Sequence, residues 1–137
     1  MKDIERKITY KDTEYTVVFN LNVMEALQDK YGSMDAWVDL VDGTANARKA
    51  YKEAHGSLKG FDDSSKDGEP DIKALIFGYY VMLNEGIEID NEENGKDLKP
   101  VTEKQVGRIL TAVGFANAQK QLGELMTYST KKKKKNE

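Results

Sequence analysis

The chain has 137 residues and no cysteine, which excludes disulfide bonds, zinc fingers and thiol catalysis. It has a single histidine, His55, which lies before Gly56 at a predicted helix end, where a cation suits the helix dipole. No glycine-rich phosphate loop, HExxH motif or GxSxG motif accompanies it. We therefore expect no enzymatic activity, no bound metal and no other cofactor.

Long hydrophobic runs are also missing. The most apolar stretch, Ala74 to Leu83, has ten residues without a charge, whereas a helix needs about 20 to cross a bilayer. The first seven residues are largely charged and are not followed by the apolar segment of a signal peptide. We expect a cytoplasmic protein that does not enter a membrane.

The formal net charge of −3 conceals an asymmetry between the body of the chain and its end. Lys131–Lys135 hold five of the 21 basic residues, so residues 1–130 carry 16 basic and 23 acidic residues, a net charge of −7. An acidic body repels phosphates. The lysine run is short and lacks aromatic residues, so it predicts weak, salt-sensitive contact with nucleic acid at most, and we expect no nucleic-acid partner.

The run from Ala74 to Leu83 predicts a central helix over about 71–87, which fades at Asn84–Gly86. A helix that is apolar on every side belongs inside the fold. Its aromatic residues, Phe77, Tyr79 and Tyr80, are expected in the core, with a ligand pocket as the alternative. Gly78 is unusual, because a glycine within a helix costs about 1 kcal/mol relative to alanine. We expect it to allow close approach of another backbone, from this subunit or from a neighbouring one.

The remaining patterns predict a mainly α fold with an N-terminal β-hairpin. Residues 4–20 alternate between apolar and polar around a polar turn, as hairpin strands do. Capping residues and apolar stripes predict helices around the hairpin: from Asn22 to Tyr31, Met34–Val41, Ala45–Ala54, from Thr102 to Val113 and Phe115–Met126. We expect one domain over residues 1–128, with a mobile loop at 56–70 and a disordered lysine-rich tail at 129–137.

The segment Asp90–Gly95 has the start of a calcium-binding EF-hand loop, with oxygen ligands at positions one, three and five and glycine at six. Position twelve, which must supply a bidentate glutamate, is Val101. The segment is therefore predicted to be a solvated acidic connection between helices, within residues 87–100.

The order of these elements resembles that of the tail assembly chaperones of long-tailed phages and prophages of Gram-positive bacteria. The resemblance covers most of residues 4–126. It rests on the hairpin, the helix signature of residues 19–32 (Phe-Asn-Leu-Asn-Val-Met-Glu-Ala-Leu-Gln-Asp-Lys-Tyr-Gly), the helix Ala74–Gly86 and the segment Lys99–Leu110. The codons of Lys131–Lys135 are necessarily adenine-rich. In the family, a fraction of ribosomes shifts frame near the end of the gene and makes a longer product, and the lysine codons resemble such a site.

The resemblance implies a non-enzymatic factor that binds the tape-measure protein, keeps it soluble and recruits tail-tube subunits. Such a factor acts in the host cytoplasm and is absent from the mature virion. No binding residue of the family carries over by motif. The last helix offers Leu122, Leu125 and Met126 as a partner-binding surface, and Gly78 offers a contact for self-association. The alternative is that Leu122, Leu125 and Met126 close the core.

Two functions of other classes remain open from the sequence. One is a small nucleic-acid-binding phage protein that uses its lysine tail, against which the acidic body argues. The other is a structural tail component such as a tube subunit, which predicts more β-structure than a single hairpin.

Overall fold

A computed structural model describes the backbone of residues 4–62 and 68–135, and the side chains of residues 5–62 and 68–126. The fold is mainly helical with an N-terminal two-stranded hairpin, as the sequence predicts. Its elements are β1 (Ile4–Tyr10), β2 (Thr13–Phe19), α1 (Leu21–Tyr31), α2 (Met34–Val41), α3 (Thr44–His55), α4 (Ile72–Glu93), α5 (Glu103–Val113) and α6 (Phe115–Lys135).

Two compact units can be distinguished in the chain, and the single domain expected over residues 1–128 stays a prediction. The first unit comprises Met1–Ala26 and Ile76–Glu137, and the second comprises Leu27–Leu75. The divisions fall within α1 and within α4, so neither coincides with a loop. A sequence search for a boundary looks for linkers rich in glycine, proline or polar residues, and it has no signal to detect here.

The hairpin of the first unit is antiparallel, with Ile4 opposite Phe19 and Tyr10 opposite Thr13. Its turn consists of Lys11 and Asp12, whose φ angles of 45° and 58° are both positive. Two positive φ angles in a two-residue connection are typical of a type I′ turn, whose twist matches that of the two strands. The turn is thus tight and fixes the register of the hairpin.

Strand β2 is buried on both of its faces, whereas the sequence analysis expected a single apolar face. The alternating residues Val17 and Phe19 are buried, and so are Thr16 and Val18 between them. Successive side chains of a strand point to opposite sides, so this end of β2 is covered on both sides. The other strand, β1, contacts α5 and α6.

The second unit packs around Trp37 of α2, which is fully buried and donates its Nε1–H to the carbonyl oxygen of Ala74 at 3.0 Å. The backbone amide of Asp71 donates to the Leu40 carbonyl at 2.8 Å. Both bonds join α2 to the start of α4. Because the indole is buried together with its hydrogen-bond partner, α2 is held to this segment by polar as well as apolar contact.

The connection between α3 and α4 was predicted as a mobile loop over 56–70, and residues 63–67 of that prediction lie outside the described part of the chain. Of its two expected anchors, Phe61 packs edge-on against the Tyr51 ring with centroids 5.4 Å apart, while Leu58 is exposed. His55 stacks on the same Tyr51 ring at 4.1 Å, in the last turn of α3. The histidine therefore has a packing role at a helix end.

Most helix starts agree with their predicted caps, and one does not. The Ser33 hydroxyl accepts from Ala36 N, and Thr102 forms a full capping box with Gln105. Helix α1, however, is capped by Asn20, whose side chain accepts from Val23 N at 3.1 Å. The predicted cap, Asn22, lies inside the helix. Because α1 follows β2 directly, the first asparagine after the strand takes the capping position.

Two helices are longer than the sequence predicts. Helix α4 was expected to fade at Asn84–Gly86 but continues to Glu93, because Ile87 and Asp90 are buried and hold its last turns against the fold. Helix α6 was expected to end at Met126, before a disordered tail at 129–137. Its backbone is helical to Lys135, and residues 136–137 of that prediction lie outside the described part of the chain. No proline or glycine follows Gly123, and lysine is a good helix former.

Candidate functional site

The acidic segment Asp90–Gly95 does not form a loop that could hold calcium. Asp90 to Glu93 are the last residues of helix α4, whereas an EF-hand needs these positions in a turn around the ion. Among the described residues, no group of three or more acidic or histidine side chains is placed to hold a metal ion.

Asp90 is nevertheless the most unusual polar residue of the first unit, because this charged residue is only 3% exposed. The Thr16 hydroxyl donates to Asp90 Oδ2 at 2.9 Å, and the Asn94 side chain donates to Asp90 Oδ1 at 2.9 Å. The Lys96 ammonium lies 3.8 Å from Oδ2, and Lys7 donates to Thr16 Oγ1 at 2.8 Å. The network ties the hairpin to the end of α4.

The pKa of Asp90 reflects two opposing effects. Burial raises it, but the hydrogen bonds from Asn94 and Thr16, together with the charges of Lys96 and Lys7, outweigh burial and lower the pKa below its ordinary value. The carboxylate is therefore ionised at neutral pH and fully engaged as a hydrogen-bond acceptor. A carboxylate held in this way fixes structure, since a general base needs a partner proton that it can reach and accept.

Gly86 lies one helical turn before Asp90 and makes a close backbone contact with strand β2. A Cβ atom at position 86 would fall 2.8 Å from the carbonyl carbon of Thr16 and still closer to its oxygen. Thr16 thus offers its backbone to Gly86 and its hydroxyl to Asp90. Helix α4 and strand β2 meet at this point with no side chain between their backbones.

Gly78 itself is buried within α4. The two tyrosines that follow it differ in how deeply they are buried, and the sequence alone does not predict this difference. Tyr79 is fully buried, and its hydroxyl donates to the Ala118 carbonyl of α6 at 2.6 Å. Burial raises the pKa of Tyr79 well above its ordinary value. Tyr80 is half-buried, and its ring lies 5.8 Å from that of Phe77. Tyr79 is therefore a core residue that fastens α6.

The predicted partner-binding residues of α6 lie on one helical face that turns inward. Leu122 and Leu125 are buried, as is Ala118 one turn before, and Met126 is half-buried at the edge. Helix α6 contacts β1 and α5. In this conformation the leucines close the core, which is the alternative that the sequence analysis kept. They form a binding surface only if α6 moves away.

A surface pocket of about 240 Å³ lies between the hairpin turn and helix α5. The hairpin contributes Tyr10, Lys11 and Tyr15 to it, and Val101, Gln105, Arg108 and Ile109 complete the lining. Neither the tyrosines nor Arg108 were singled out from the sequence. They lie about 90 residues apart in the chain, and only the packing of β1 on α5 brings them together.

No helix in the described part of the chain combines the length and the apolar character needed to cross a membrane. A scan against models of protein families and searches of curated proteins and of solved structures found no match to this chain.

Proposed function

We propose that this chain is a non-enzymatic assembly chaperone of a long phage tail. It binds the tape-measure protein in the host cytoplasm, keeps it soluble, recruits tail-tube subunits and is absent from the finished virion. The resemblance of residues 4–126 to that family supports the proposal. The structural observation that carries it is the docking of the last helix, α6, by a single apolar face.

The face of α6 has the spacing of a helix that can pair with another helix. Ala118, Leu122 and Leu125 are separated by four and three residues, so they form one stripe along the helix. All three are buried. A tape measure is expected to be a long helical protein with exposed apolar stripes, and helix pairing through such stripes is a common mode of recognition. We propose that this stripe is the client-binding surface.

Undocking of α6 is energetically feasible. Burying a leucine stabilises by roughly 2 kcal/mol, so the stripe contributes about 5 kcal/mol, and the hydrogen bond from Tyr79 to Ala118 adds about 1 kcal/mol. At 1.4 kcal/mol for each factor of ten, α6 is undocked in about one molecule in twenty thousand. A client helix that covers the same stripe compensates for the lost contacts, and binding then shifts the population toward the undocked state.

The charge of the chain suits a protein that coats a long client in many copies. Residues 1–130 carry a net charge of −7, and copies of like charge remain soluble when crowded. The lysine run also lies within α6. A frameshifted product would therefore carry its additional sequence as a continuation of the helix that we propose binds the client.

The gene provides the first test. We expect an adenine-rich slip site at codons 131–135, an overlapping reading frame and a tape-measure gene downstream. Reading frames that close at once after both shifts, without neighbouring tail genes, would remove the support that the lysine run gives to the proposal.

The second test is co-expression of a tape-measure fragment with the full chain, measuring the soluble fraction of the fragment. We expect the wild type to keep it soluble, and we expect Leu125→Ala and the milder Met126→Ser to reduce that fraction. Glu124→Ala changes an exposed neighbour on the same helix and should leave it unchanged. Circular dichroism checks that each variant is folded. A fragment that stays insoluble beside the wild type contradicts the proposal.

A further inference from the structure

The pocket between the hairpin turn and α5 contains two cations, Arg108 and Lys11, that have no ion-pair partner among the described residues. Arg108 is exposed, and within the described part of the chain its guanidinium makes no hydrogen bond or ion pair. Lys11 extends over the Tyr10 ring, with its ammonium 5.5 Å from the ring centroid. Among the residues that the structure describes, none of those lining the pocket is acidic. In a body with a net charge of −7, an unopposed pair of cations needs an explanation.

The pocket is also held in place before anything binds. Lys11 is part of the tight turn with positive φ. On the opposite wall, Gln105 is locked in the capping box with Thr102, and Arg108 follows one turn later on the same helix. Groups on rigid elements lose less conformational entropy on binding than groups on loops. The backbones that carry the two cations are thus fixed by structure that the fold already needs.

The volume of the pocket limits its ligand. Sites for cofactors and drug-sized ligands measure about 300–1,000 Å³, so 240 Å³ is too small for a nucleotide or a flavin. This volume is sufficient for one amino-acid side chain and part of the residue next to it in a bound polypeptide. Val101 and Ile109 supply apolar lining, which suits the carbon stem of such a side chain.

We propose that this pocket binds a glutamate or aspartate side chain of a partner polypeptide. Arg108 presents two parallel N–H donors to the carboxylate, the geometry that makes guanidinium–carboxylate pairs strong, and Lys11 adds a second positive charge. The rings of Tyr10 and Tyr15 cover the stem of the acidic side chain and the apolar residue beside it. The acidic body disfavours a dianion such as phosphate more than a single carboxylate.

Small probes test this binding without any phage protein, so the outcome does not depend on the proposed function. The full chain, labelled with ¹⁵N, is titrated with the capped dipeptide acetyl-Glu-Leu-amide, with acetyl-Gln-Leu-amide and with inorganic phosphate. We expect the glutamate peptide to cause saturable shifts of the Lys11 backbone amide and the Arg108 Nε–H resonance. We expect at least tenfold weaker binding of the glutamine peptide, since a charge-assisted hydrogen bond is much stronger than a neutral one. We expect phosphate to bind at least tenfold more weakly as well, because the acidic body repels its second charge and it has no carbon stem to contact Val101 and Ile109.

Variants separate this site from general attraction of anions. Arg108→Gln should weaken binding of the glutamate peptide at least tenfold. Lys104→Gln removes an equal charge from an exposed position on α5 outside the pocket and should change the dissociation constant less than twofold. Both positions are exposed, so we expect both variants to melt at the wild-type temperature. Shifts that do not saturate, that survive Arg108→Gln or that phosphate causes equally well would overturn the assignment.

Discussion

The contact between Gly86 of α4 and the backbone of Thr16 in β2 predicts that Gly86→Ala destabilises the protein. An added Cβ would lie 2.8 Å from the Thr16 carbonyl carbon and closer still to its oxygen, whereas real Cβ atoms essentially never approach a neighbour within 3.0 Å. Both of these Thr16 atoms belong to the backbone, which cannot rotate away as a side chain can. Helix and strand must therefore separate.

The expected magnitude follows from three effects. Alanine favours the helix by about 1 kcal/mol over glycine. Overpacking costs about 1–3 kcal/mol. Separation also stretches the 2.9 Å bond from the Thr16 hydroxyl to the Asp90 carboxylate, and a hydrogen bond to a charged group contributes about 1.5–3 kcal/mol. We expect Gly86→Ala to lower the free energy of unfolding by about 3 kcal/mol.

The measurement is urea denaturation of the wild type and two glycine variants. Gly107→Ala is the matched control, because it also lies within a helix and its Cβ would make an ordinary contact, 3.7 Å from Ile76 Cδ1. We expect that variant to be more stable than the wild type by about 0.5–1 kcal/mol. If Gly86→Ala is as stable as the wild type or more so, while Gly107→Ala behaves as expected, the close contact does not exist.

A double-mutant cycle tests the link between the close contact and the hydrogen bond. Thr16→Val removes the hydroxyl and should destabilise the wild type by about 1–3 kcal/mol. In the Gly86→Ala background the same change should cost less, because the bond is already weakened. Strict additivity of the two changes would show that Gly86 and the hydroxyl act independently.

Two further predictions concern the buried polar groups. Because the folded-state pKa of Asp90 is lowered, its stabilisation is present above the unfolded-state pKa of about 3.9 and is lost as the pH falls through the folded-state value. The gap in unfolding free energy between wild type and Asp90→Asn should thus be constant from pH 5 to 7 and shrink below pH 4; a gap that grows on acidification contradicts this assignment. Tyr79→Phe removes the bond to Ala118 and should lower stability by about 1 kcal/mol and speed hydrogen exchange in α6, whereas Tyr80→Phe should do neither; equal effects of the two changes would show that the hydroxyl of Tyr79 does not fasten α6.

The sequence by itself was sufficient for the elements whose signals are local. Period-two alternation predicted the hairpin, and serine and threonine caps predicted the starts of α2 and α5, because a cap is a bond between residues three apart. The uncharged apolar stretch from Ala74 to Leu83 predicted a helix inside the fold, and six of its ten residues are buried. These features depend on neighbours in the chain, so they can be recognised without knowing the fold.

Helix ends and sites were decided by tertiary structure. Gly86 has the local signal of a helix breaker, yet α4 continues through it because Thr16, 70 residues earlier, packs against it and bonds Asp90. Gly86 was not singled out from the sequence, although it makes a close backbone contact with Thr16. Asp90 was predicted to lie in a solvated acidic connection, whereas in the structure it is buried and accepts hydrogen bonds from Thr16 and Asn94.

The residues of the pocket likewise could not be recognised as a site from the sequence. Arg108 is an ordinary exposed cation of an amphipathic helix, and Tyr10 and Lys11 are ordinary residues of a hairpin turn. They become a site only because β1 packs on α5. Leu122 and Leu125 could be placed on one helical face from their spacing, but spacing does not say whether that face turns inward or outward. Periodicity fixes which residues share a side of an element, and only packing decides what that side meets.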